Sequence, residues 1–202
     1  MIELSGIRHT ILDIRALRIP PGITSVIGPN GSGKSTFSRL LCGLDEPRSG
    51  VFTLDGKTMG QRELNRSVGY LFQNPDLQIF LPTVREELSW SLKRRKDLSD
   101  GQVSRMVSEC ASLFGLDLEE TPSTMSYPLR KALQAAVYYL LDRPFYILDE
   151  LDNALTYTVA LSIIALLRRN GAGILLITHD RTFASLVSET TYAIKAGILE
   201  EV

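Results

Sequence analysis

The sequence predicts an α/β domain with a mostly parallel central sheet. Two observations support this prediction: short apolar runs rich in branched residues alternate with helical patterns, and the first run enters a Gly-rich turn that opens a helix. The runs that we interpret as buried strands span 24–28, 68–73, 145–150 and 174–178. A chain of 202 residues fits a single domain, 1–202, with room for a small insertion.

Three stretches interrupt that alternation. Residues 2–20 and 50–55 have strand character, and they predict an antiparallel β edge against the main sheet. After Pro82, helical patterns over 84–95 and 103–114 predict an inserted pair of helices. The segment 192–202 predicts a hairpin that turns at Ala196-Gly197.

Composition and charge exclude several classes of protein. The net charge is −1 with acids and bases dispersed along the chain, so we expect no nucleic-acid partner. No apolar run approaches the roughly 20 residues that a membrane helix needs, and no secretory signal opens the sequence. Cys42 and Cys110 lie in apolar helical contexts without metal-ligand spacing, which favours buried, reduced thiols in a cytosolic protein.

The most specific motif is a phosphate-binding loop at residues 28–35, Gly-Pro-Asn-Gly-Ser-Gly-Lys-Ser, between a predicted strand and a predicted helix. Its glycines allow successive N–H groups to converge on phosphate oxygens, and the following helix presents its positive end to the same anion. We expect Lys34 to reach the β- and γ-phosphates of ATP and the Ser35 hydroxyl to ligate Mg²⁺. The residues expected to contact the nucleotide are Asn30, Gly31, Ser32, Gly33, Lys34, Ser35 and Thr36.

Two later strands end in polar residues that suit phosphate chemistry. The strand over 145–150 ends in Asp149, expected to hold Mg²⁺, and Glu150, expected to act as the general base toward water. The strand over 174–178 is followed by His179, which we expect to contact a γ-phosphate or orient the water. Adjacent acids that end a buried strand are costly unless a cation or hydrogen bonds satisfy them.

Taken in order, these motifs resemble an ABC-type ATPase domain, and the resemblance covers essentially the whole chain. It implies a P-loop NTPase fold with Walker A at 28–35, Walker B at 145–150 and His179 as the switch histidine. Gln73 corresponds to the Q-loop glutamine, which in the family ligates Mg²⁺ and links the nucleotide site to a helical subdomain. The matching subdomain would span about 83–125.

The segment Phe72-Gln73-Asn74-Pro75-Asp76-Leu77-Gln78-Ile79-Phe80 resembles the ATPases of energy-coupling factor transporters, which import vitamins or cobalt and nickel ions. The resemblance implies a membrane-spanning partner subunit whose coupling helices dock near residues 77–81. It also implies a peripheral location on the cytoplasmic face of the cell membrane. A generic importer ATPase is the alternative, since Phe-Gln-Asn-Pro is not exclusive to this group.

Three departures from the family pattern bear on the mechanism. The signature Leu-Ser-Gly-Gly-Gln falls on residues 125–129, Met-Ser-Tyr-Pro-Leu, so that only Ser126 survives. The D-loop at 153–156 reads Asn-Ala-Leu-Thr where Ser-x-Leu-Asp is usual. No aromatic residue occupies 8–11 to stack on adenine, and His9 is a weak candidate for that role.

In this family the signature of one chain closes on ATP bound by a second ATPase chain. The intact Walker motifs and altered signature lead to the hypothesis of an asymmetric heterodimer, with a homodimer as its rival. Two other functions stay open: a regulatory subunit that binds ATP with little hydrolysis, and a soluble ABC ATPase outside transport.

Overall fold

The computed structural model describes residues 1–93, 95–153 and 155–202 of the chain. Arg94 falls within the helix predicted over 84–95, and Ala154 falls within the predicted D-loop. Both lie outside the described residues.

A six-stranded sheet forms the centre of the protein, as the sequence predicts. Five of its strands pair in parallel and the sixth closes a hairpin at one edge, in the order β10-β9-β3-β8-β7-β6. Their bounds are β3 Ile23–Ile27, β6 Val68–Leu71, β7 Phe145–Asp149, β8 Gly173–Thr178, β9 Thr190–Lys195 and β10 Ile198–Glu201. Every residue of β3 and β8 is buried, as expected for parallel strands covered on both faces.

The antiparallel strands form a sheet of their own rather than an edge of the main sheet. Its order is β2-β1-β4-β5. The strands are β1 Ile2–His9, β2 Leu12–Ile19, β4 Ser49–Leu54 and β5 Lys57–Met59. Alternate side chains such as Ile2, Leu4 and Ile14 are buried in the same core as Val26 and Ile147 of the main sheet. The two sheets therefore share one hydrophobic core, to which Phe37, Leu40 and Leu41 also belong.

Seven helices with described bounds connect and cover the sheets. They are α1 Lys34–Leu41, α2 Gln61–Ser67, α3 Val84–Leu92, α4 Asp100–Phe114, α5 Tyr127–Leu141, α6 Tyr157–Leu167 and α7 Arg181–Val187. Helices α3 and α4 each begin with a capping box, at Thr83 and Ser99, which satisfies free N–H groups at the helix start. Gly115 ends α4 in the left-handed conformation, as is usual for a C-terminal cap.

Helices α3, α4 and α5 enclose a core separate from the one beneath the sheet. Leu133 and Leu140 of α5 pack in this helical core, whereas Ala135 of α5 packs against β7 and α6 in the sheet core. Because α5 belongs to both cores, we propose that the helical subdomain extends past 125 into this helix. The range 83–125 stays a prediction.

Two local features refine the sequence analysis. The predicted hairpin is confirmed, with Ala196 at φ 48° and Gly197 at φ 80° in its turn. A Cβ on Gly197 would lie 1.6 Å from the carbonyl oxygen of Ile11, so only glycine fits this position. Strand β6 ends at Leu71, which leaves Gln73 on the loop beyond the strand. Among the residues that the structure describes, no helix is long and apolar enough to cross a bilayer.

Candidate active site

The polar residues singled out in the sequence, apart from His9, Ser32 and Ser126, meet at the carboxyl ends of four adjacent parallel strands. Strands β3, β8, β7 and β6 are neighbours in the sheet, so the loops that follow them open on the same edge. A cleft of about 690 Å³ lies there. It is lined by Ile11, Gly28, Pro29, Asn30, Gly31, Gly33, Lys34, Ser35, Thr36, Gln73, Asp149, Glu150 and His179.

The phosphate loop forms one wall of the cleft. Gly31 and Gly33 have φ of 78° and 109°, values that residues with a side chain rarely adopt. The Lys34 ammonium donates to the carbonyl oxygens of Gly28 (2.7 Å) and Pro29 (3.0 Å), which holds this charge against the loop. Phosphate oxygens would compete with these carbonyls for the ammonium, because hydrogen bonds between two charged groups are the stronger ones.

Two predicted nucleotide contacts do not line this cleft. Ser32 is buried, and its hydroxyl has no hydrogen-bond partner among the described residues. Ser126 is exposed at the N-cap of α5. The latter position agrees with the expected role of Ser126, which is to face ATP bound by a second chain, and that role remains a prediction.

Asp149 is held by a residue that the sequence analysis did not single out. The Tyr70 hydroxyl donates to Asp149 Oδ2 over 2.7 Å. Burial raises the pKa of Asp149, while this hydrogen bond opposes the shift. Burial and the neighbouring Asp149 both raise the pKa of Tyr70, so that its hydroxyl stays a donor. Only the pairing of β6 with β7 brings the two residues together.

Glu150 is held between the two other predicted catalytic residues. Gln73 Nε2 donates to Glu150 Oε2 over 2.6 Å, and His179 Nδ1 lies 3.5 Å from Glu150 Oε1. Glu150 itself has φ of 47°, a left-handed conformation that costs a non-glycine residue about 1 kcal/mol. Its N–H donates to the carbonyl of Ile177 on β8, which anchors this backbone. The Glu150 side chain is 14% exposed, so water can reach it.

The loop after β7 is tied to the loop that carries His179. The Thr178 hydroxyl donates to Asp152 Oδ2 (2.8 Å) and accepts from the Asp180 N–H (2.9 Å). The Tyr157 hydroxyl donates to Asp180 Oδ2. These contacts connect Asp152, which precedes the predicted D-loop, to the residues on either side of His179.

The first turns of α5 contact the Q-loop. The Tyr127 hydroxyl donates to the Gln73 carbonyl, and the Lys131 ammonium donates to the Phe72 carbonyl, each over 2.7 Å. Arg130 forms an ion pair of 2.9 Å with Asp76. Burial lowers the pKa of Lys131 to about 8, and the charges of Asp149 and Glu150 oppose that shift.

The role of His9 in adenine stacking stays a prediction. His9 does not line the cleft, and its Nδ1 is buried without a partner among the described residues. It belongs to β1, where it is paired with Leu12 of the neighbouring strand β2. Ile11, in the turn that follows, reaches the cleft instead and lies beside Gly33. The sequence pattern could not distinguish these neighbours, because the tight β1–β2 turn decides which side chain faces the nucleotide loop.

The donor atoms of the cleft suit Mg²⁺. Ser35, Gln73 and Asp149 offer a hydroxyl, an amide and a carboxylate, and hard oxygen ligands of this kind bind Mg²⁺ together with phosphate oxygens. Within residues 1–93, 95–153 and 155–202, no three His, Cys, Asp or Glu side chains form a metal-binding group.

Comparisons with known proteins identify the family of the chain. The ABC transporter family model matches residues 15–153. An ABC transporter ATP-binding protein of Pyrococcus horikoshii is 31% identical over 95% of this chain and 76% of its own length. The energy-coupling factor transporter ATP-binding protein of Thermotoga maritima is 33% identical over 85% of this chain and 68% of its own.

A solved structure supports the fold independently. CbiO1 of Clostridium perfringens, described as part of the ABC transporter complex cbiONQ, superposes with a TM-score of 0.86 at 22% identity. The superposition covers 98% of this chain and 86% of CbiO1. The predicted P-loop NTPase fold is thus confirmed, and the chain belongs to the ABC transporter family of ATPases.

Proposed function

We propose that this chain is the ATPase subunit of an importer of the energy-coupling factor type and that it binds Mg·ATP in the cleft. The observation that carries the proposal is the convergence of the phosphate loop, Asp149, Glu150, His179 and Gln73 at one sheet edge. Similarity to the energy-coupling factor protein of Thermotoga maritima supports the importer type.

The phosphate loop would bind the triphosphate of ATP. Lys34 would exchange the Gly28 and Pro29 carbonyls for β- and γ-phosphate oxygens, while the loop N–H groups and the start of α1 add positive potential. When bound, Mg²⁺ supplies charge neutralisation at these phosphates, with ligands from Ser35, Gln73 and Asp149. Lys34→Ala should therefore abolish binding of a fluorescent ATP analogue, whereas exposed Lys57→Ala should leave it unchanged.

Glu150 would act as the general base. One carboxylate oxygen accepts from Gln73 and the other faces His179, which fixes the plane of the carboxylate at the cleft. A water beside the γ-phosphate would transfer its proton to Glu150 as its oxygen attacks the γ-phosphorus, while the bond from that phosphorus to the β–γ bridging oxygen breaks and ADP leaves. His179, 64% exposed at its side chain, is positioned to orient that water or the phosphate.

The altered signature favours a different ATPase as the dimer partner. Pro128 lacks an N–H, and Tyr127 adds a ring where the family has glycine, so the start of α5 offers fewer donors to a phosphate on a second chain. Ser126 keeps its exposed hydroxyl at the N-cap. We propose a heterodimer in which this chain's ATP faces an intact signature, with the homodimer as the alternative.

Light scattering on Glu150→Gln with and without Mg·ATP separates these two assemblies. The substitution keeps nucleotide binding but removes the base, so a closed dimer accumulates. A chain that stays monomeric while ATP binding is verified on the same sample supports the heterodimer. An ATP-dependent shift to a dimer of this chain alone supports the homodimer.

A membrane-spanning subunit is the proposed second partner. Leu77 and Phe80 of the Q-loop are 61% and 76% exposed, far more than apolar side chains in a core. Phe80 borders a groove of about 420 Å³, which is also lined by Ile79, Leu81 and Pro82. We propose that this groove receives a membrane-subunit helix and holds the chain at the cytoplasmic face of the membrane.

A regulatory subunit with little hydrolysis is the second candidate function. The specific observation in its favour is Tyr127-Pro128, since a homodimer built from two such signatures would clamp both nucleotides weakly. Mg²⁺-dependent turnover that disappears in Glu150→Gln would exclude it.

A further inference from the structure

Two side chains on one face of α5 hold the peptide groups on either side of the Gln73 Cα. Tyr127 and Lys131 are four residues apart, so they lie one above the other on the helix. The first donates to the Gln73 carbonyl and the second to the Phe72 carbonyl, each over 2.7 Å. Consecutive carbonyl oxygens of the Q-loop are thus captured by neighbouring donors of one rigid helix.

The same face of α5 continues to support the Q-loop beyond these two residues. Gln134 Nε2 donates to the Phe72 carbonyl over 3.2 Å and also contacts Gln78 Oε1. Gln78 accepts from the Phe72 N–H (3.0 Å) and donates to the Tyr138 hydroxyl (2.9 Å). The segment before Gln73 is therefore fixed to α5 by side chains over three helical turns.

The burial of the Lys131 ammonium is energetically unfavourable. The residue is fully buried, and a buried ammonium is unfavourable unless it is hydrogen-bonded and near negative charge. Its hydrogen bond goes to the Phe72 carbonyl, and the nearby charges are those of Asp149 and Glu150. A methionine would fill similar space without the desolvation cost, so packing alone does not account for the ammonium.

We propose that Tyr127 and Lys131 are positioning residues for Gln73: they hold its peptide so that its amide reaches Glu150. With Nε2 engaged by Glu150, the amide oxygen of Gln73 is the atom left to ligate a cation. The inference deepens the proposed function and rests on the role given there to Gln73. It also means that the start of α5, which carries Ser126, and the Q-loop move together.

The test measures nucleotide binding by the full chain rather than hydrolysis. A fluorescent, non-hydrolysable ATP analogue is titrated at fixed Mg²⁺ concentrations, which yields the Mg²⁺ concentration for half-maximal enhancement of binding. Tyr127→Phe removes one hydroxyl from a half-buried ring, so the fold is retained. We expect the half-maximal Mg²⁺ concentration to rise about tenfold, the lower range for loss of a residue that orients a metal ligand. Analogue affinity without Mg²⁺ should not change.

Tyr192→Phe is a matched control, because its hydroxyl also donates to a backbone carbonyl, that of Arg18, over 2.8 Å but outside the cleft lining. Lys131→Met is the second variant, expected to act in the same direction as Tyr127→Phe. Gln73→Ala, alone and combined with Tyr127→Phe, separates the positioning role from the proposed function.

The Mg²⁺ titrations distinguish the positioning role of Tyr127 from the cation-binding role of Gln73. If Tyr127→Phe raises the half-maximal Mg²⁺ concentration in the wild-type background but not in the Gln73→Ala background, Tyr127 acts through Gln73 and the proposal stands. The positioning role is overturned if Tyr127→Phe raises the half-maximal Mg²⁺ concentration equally with and without Gln73→Ala, or if it behaves like Tyr192→Phe. In either case, a higher half-maximal Mg²⁺ concentration in Gln73→Ala alone leaves the proposed function intact. If Gln73→Ala itself leaves Mg²⁺ dependence unchanged, the role of Gln73 fails, and the positioning proposal fails with it.

Discussion

Gln73 and Glu150 lie side by side because of the register of two parallel strands. Leu71 of β6 is paired with Leu148 of β7, so the residues two positions further along each chain leave the sheet at the same point. Their side chains meet there, with Gln73 Nε2 at 2.6 Å from Glu150 Oε2. This hydrogen bond therefore joins the amide expected to ligate the cation to the carboxylate expected to activate water, without any contact from a nucleotide.

Gly28→Ala should damage the phosphate loop through a steric clash. A Cβ at Gly28 would lie 2.5 Å from the Ile194 carbonyl oxygen and 2.9 Å from the Ser32 hydroxyl. We expect the free energy of unfolding to fall by about 1–3 kcal/mol, since overpacking forces the backbone to shift, and analogue binding to weaken. Urea unfolding and nucleotide titration measure both effects.

Gly31→Ala is the control for Gly28→Ala in the same loop. Its Cβ would meet open space, so only the strain at φ 78° remains, about 1 kcal/mol. Equal stability of the two variants would contradict the close approach of β3 to β9 at Gly28.

Tyr70→Phe should weaken Mg²⁺-dependent nucleotide binding without unfolding the protein. The ring stays in the core beside Phe72, but the hydrogen bond that orients Asp149 is lost. Loss of such a support lowers metal affinity by about 10–100-fold, which a Mg²⁺ titration of analogue binding detects. Mg²⁺ dependence equal to that of wild type would mean that Asp149 needs no support from Tyr70.

Phe80→Ser should impair assembly with the membrane subunit and leave the isolated chain unchanged. Phe80 is 76% exposed, so the folded chain loses little by the change. Co-purification with the membrane subunit is expected to fall at least about tenfold, as for the central residue of an interface. Ile198→Ser, 54% exposed on β10, is the control. If both variants assemble equally well, the groove beside Phe80 is not the docking site.

The two thiols should be unreactive in the native protein near neutral pH. Burial raises the pKa of Cys42 to about 11 and that of Cys110 to about 12. Since the thiolate is the reactive form and a raised pKa lowers its fraction at pH 8, a disulfide reagent should modify neither thiol until the chain unfolds. Two thiols should react in guanidinium chloride. Rapid modification of either thiol in the native protein would contradict this burial.

The local sequence pattern was sufficient to predict the positions of the polar residues that follow the parallel strands. The placement of the phosphate loop, Asp149, Glu150 and His179 at one sheet edge could be predicted, because apolar runs of parallel strands mark where polar loop residues gather. The α/β class followed from the same runs.

Contacts between distant segments could not be predicted in this way. The Tyr70–Asp149 and Tyr127–Gln73 hydrogen bonds join residues 79 and 54 positions apart, and strand register and helix packing determine them. Ile11 rather than His9 lines the cleft for a similar reason: turn geometry, and not residue type, decides which side chain faces the cleft. The separate antiparallel sheet depends on the burial of its apolar face in the core that it shares with the main sheet, which alternation alone does not distinguish from an edge position.

The most direct test of the account compares Glu150→Gln with wild type in the assembled transporter, with any different partner ATPase disabled at its own nucleotide site. ATP hydrolysis and ATP affinity are measured on the same sample. The account predicts unchanged affinity and a turnover lower by about 10²–10⁴-fold, the range for loss of a general base. Turnover equal to that of wild type would contradict the assignment of Glu150 and, with it, the proposed mechanism.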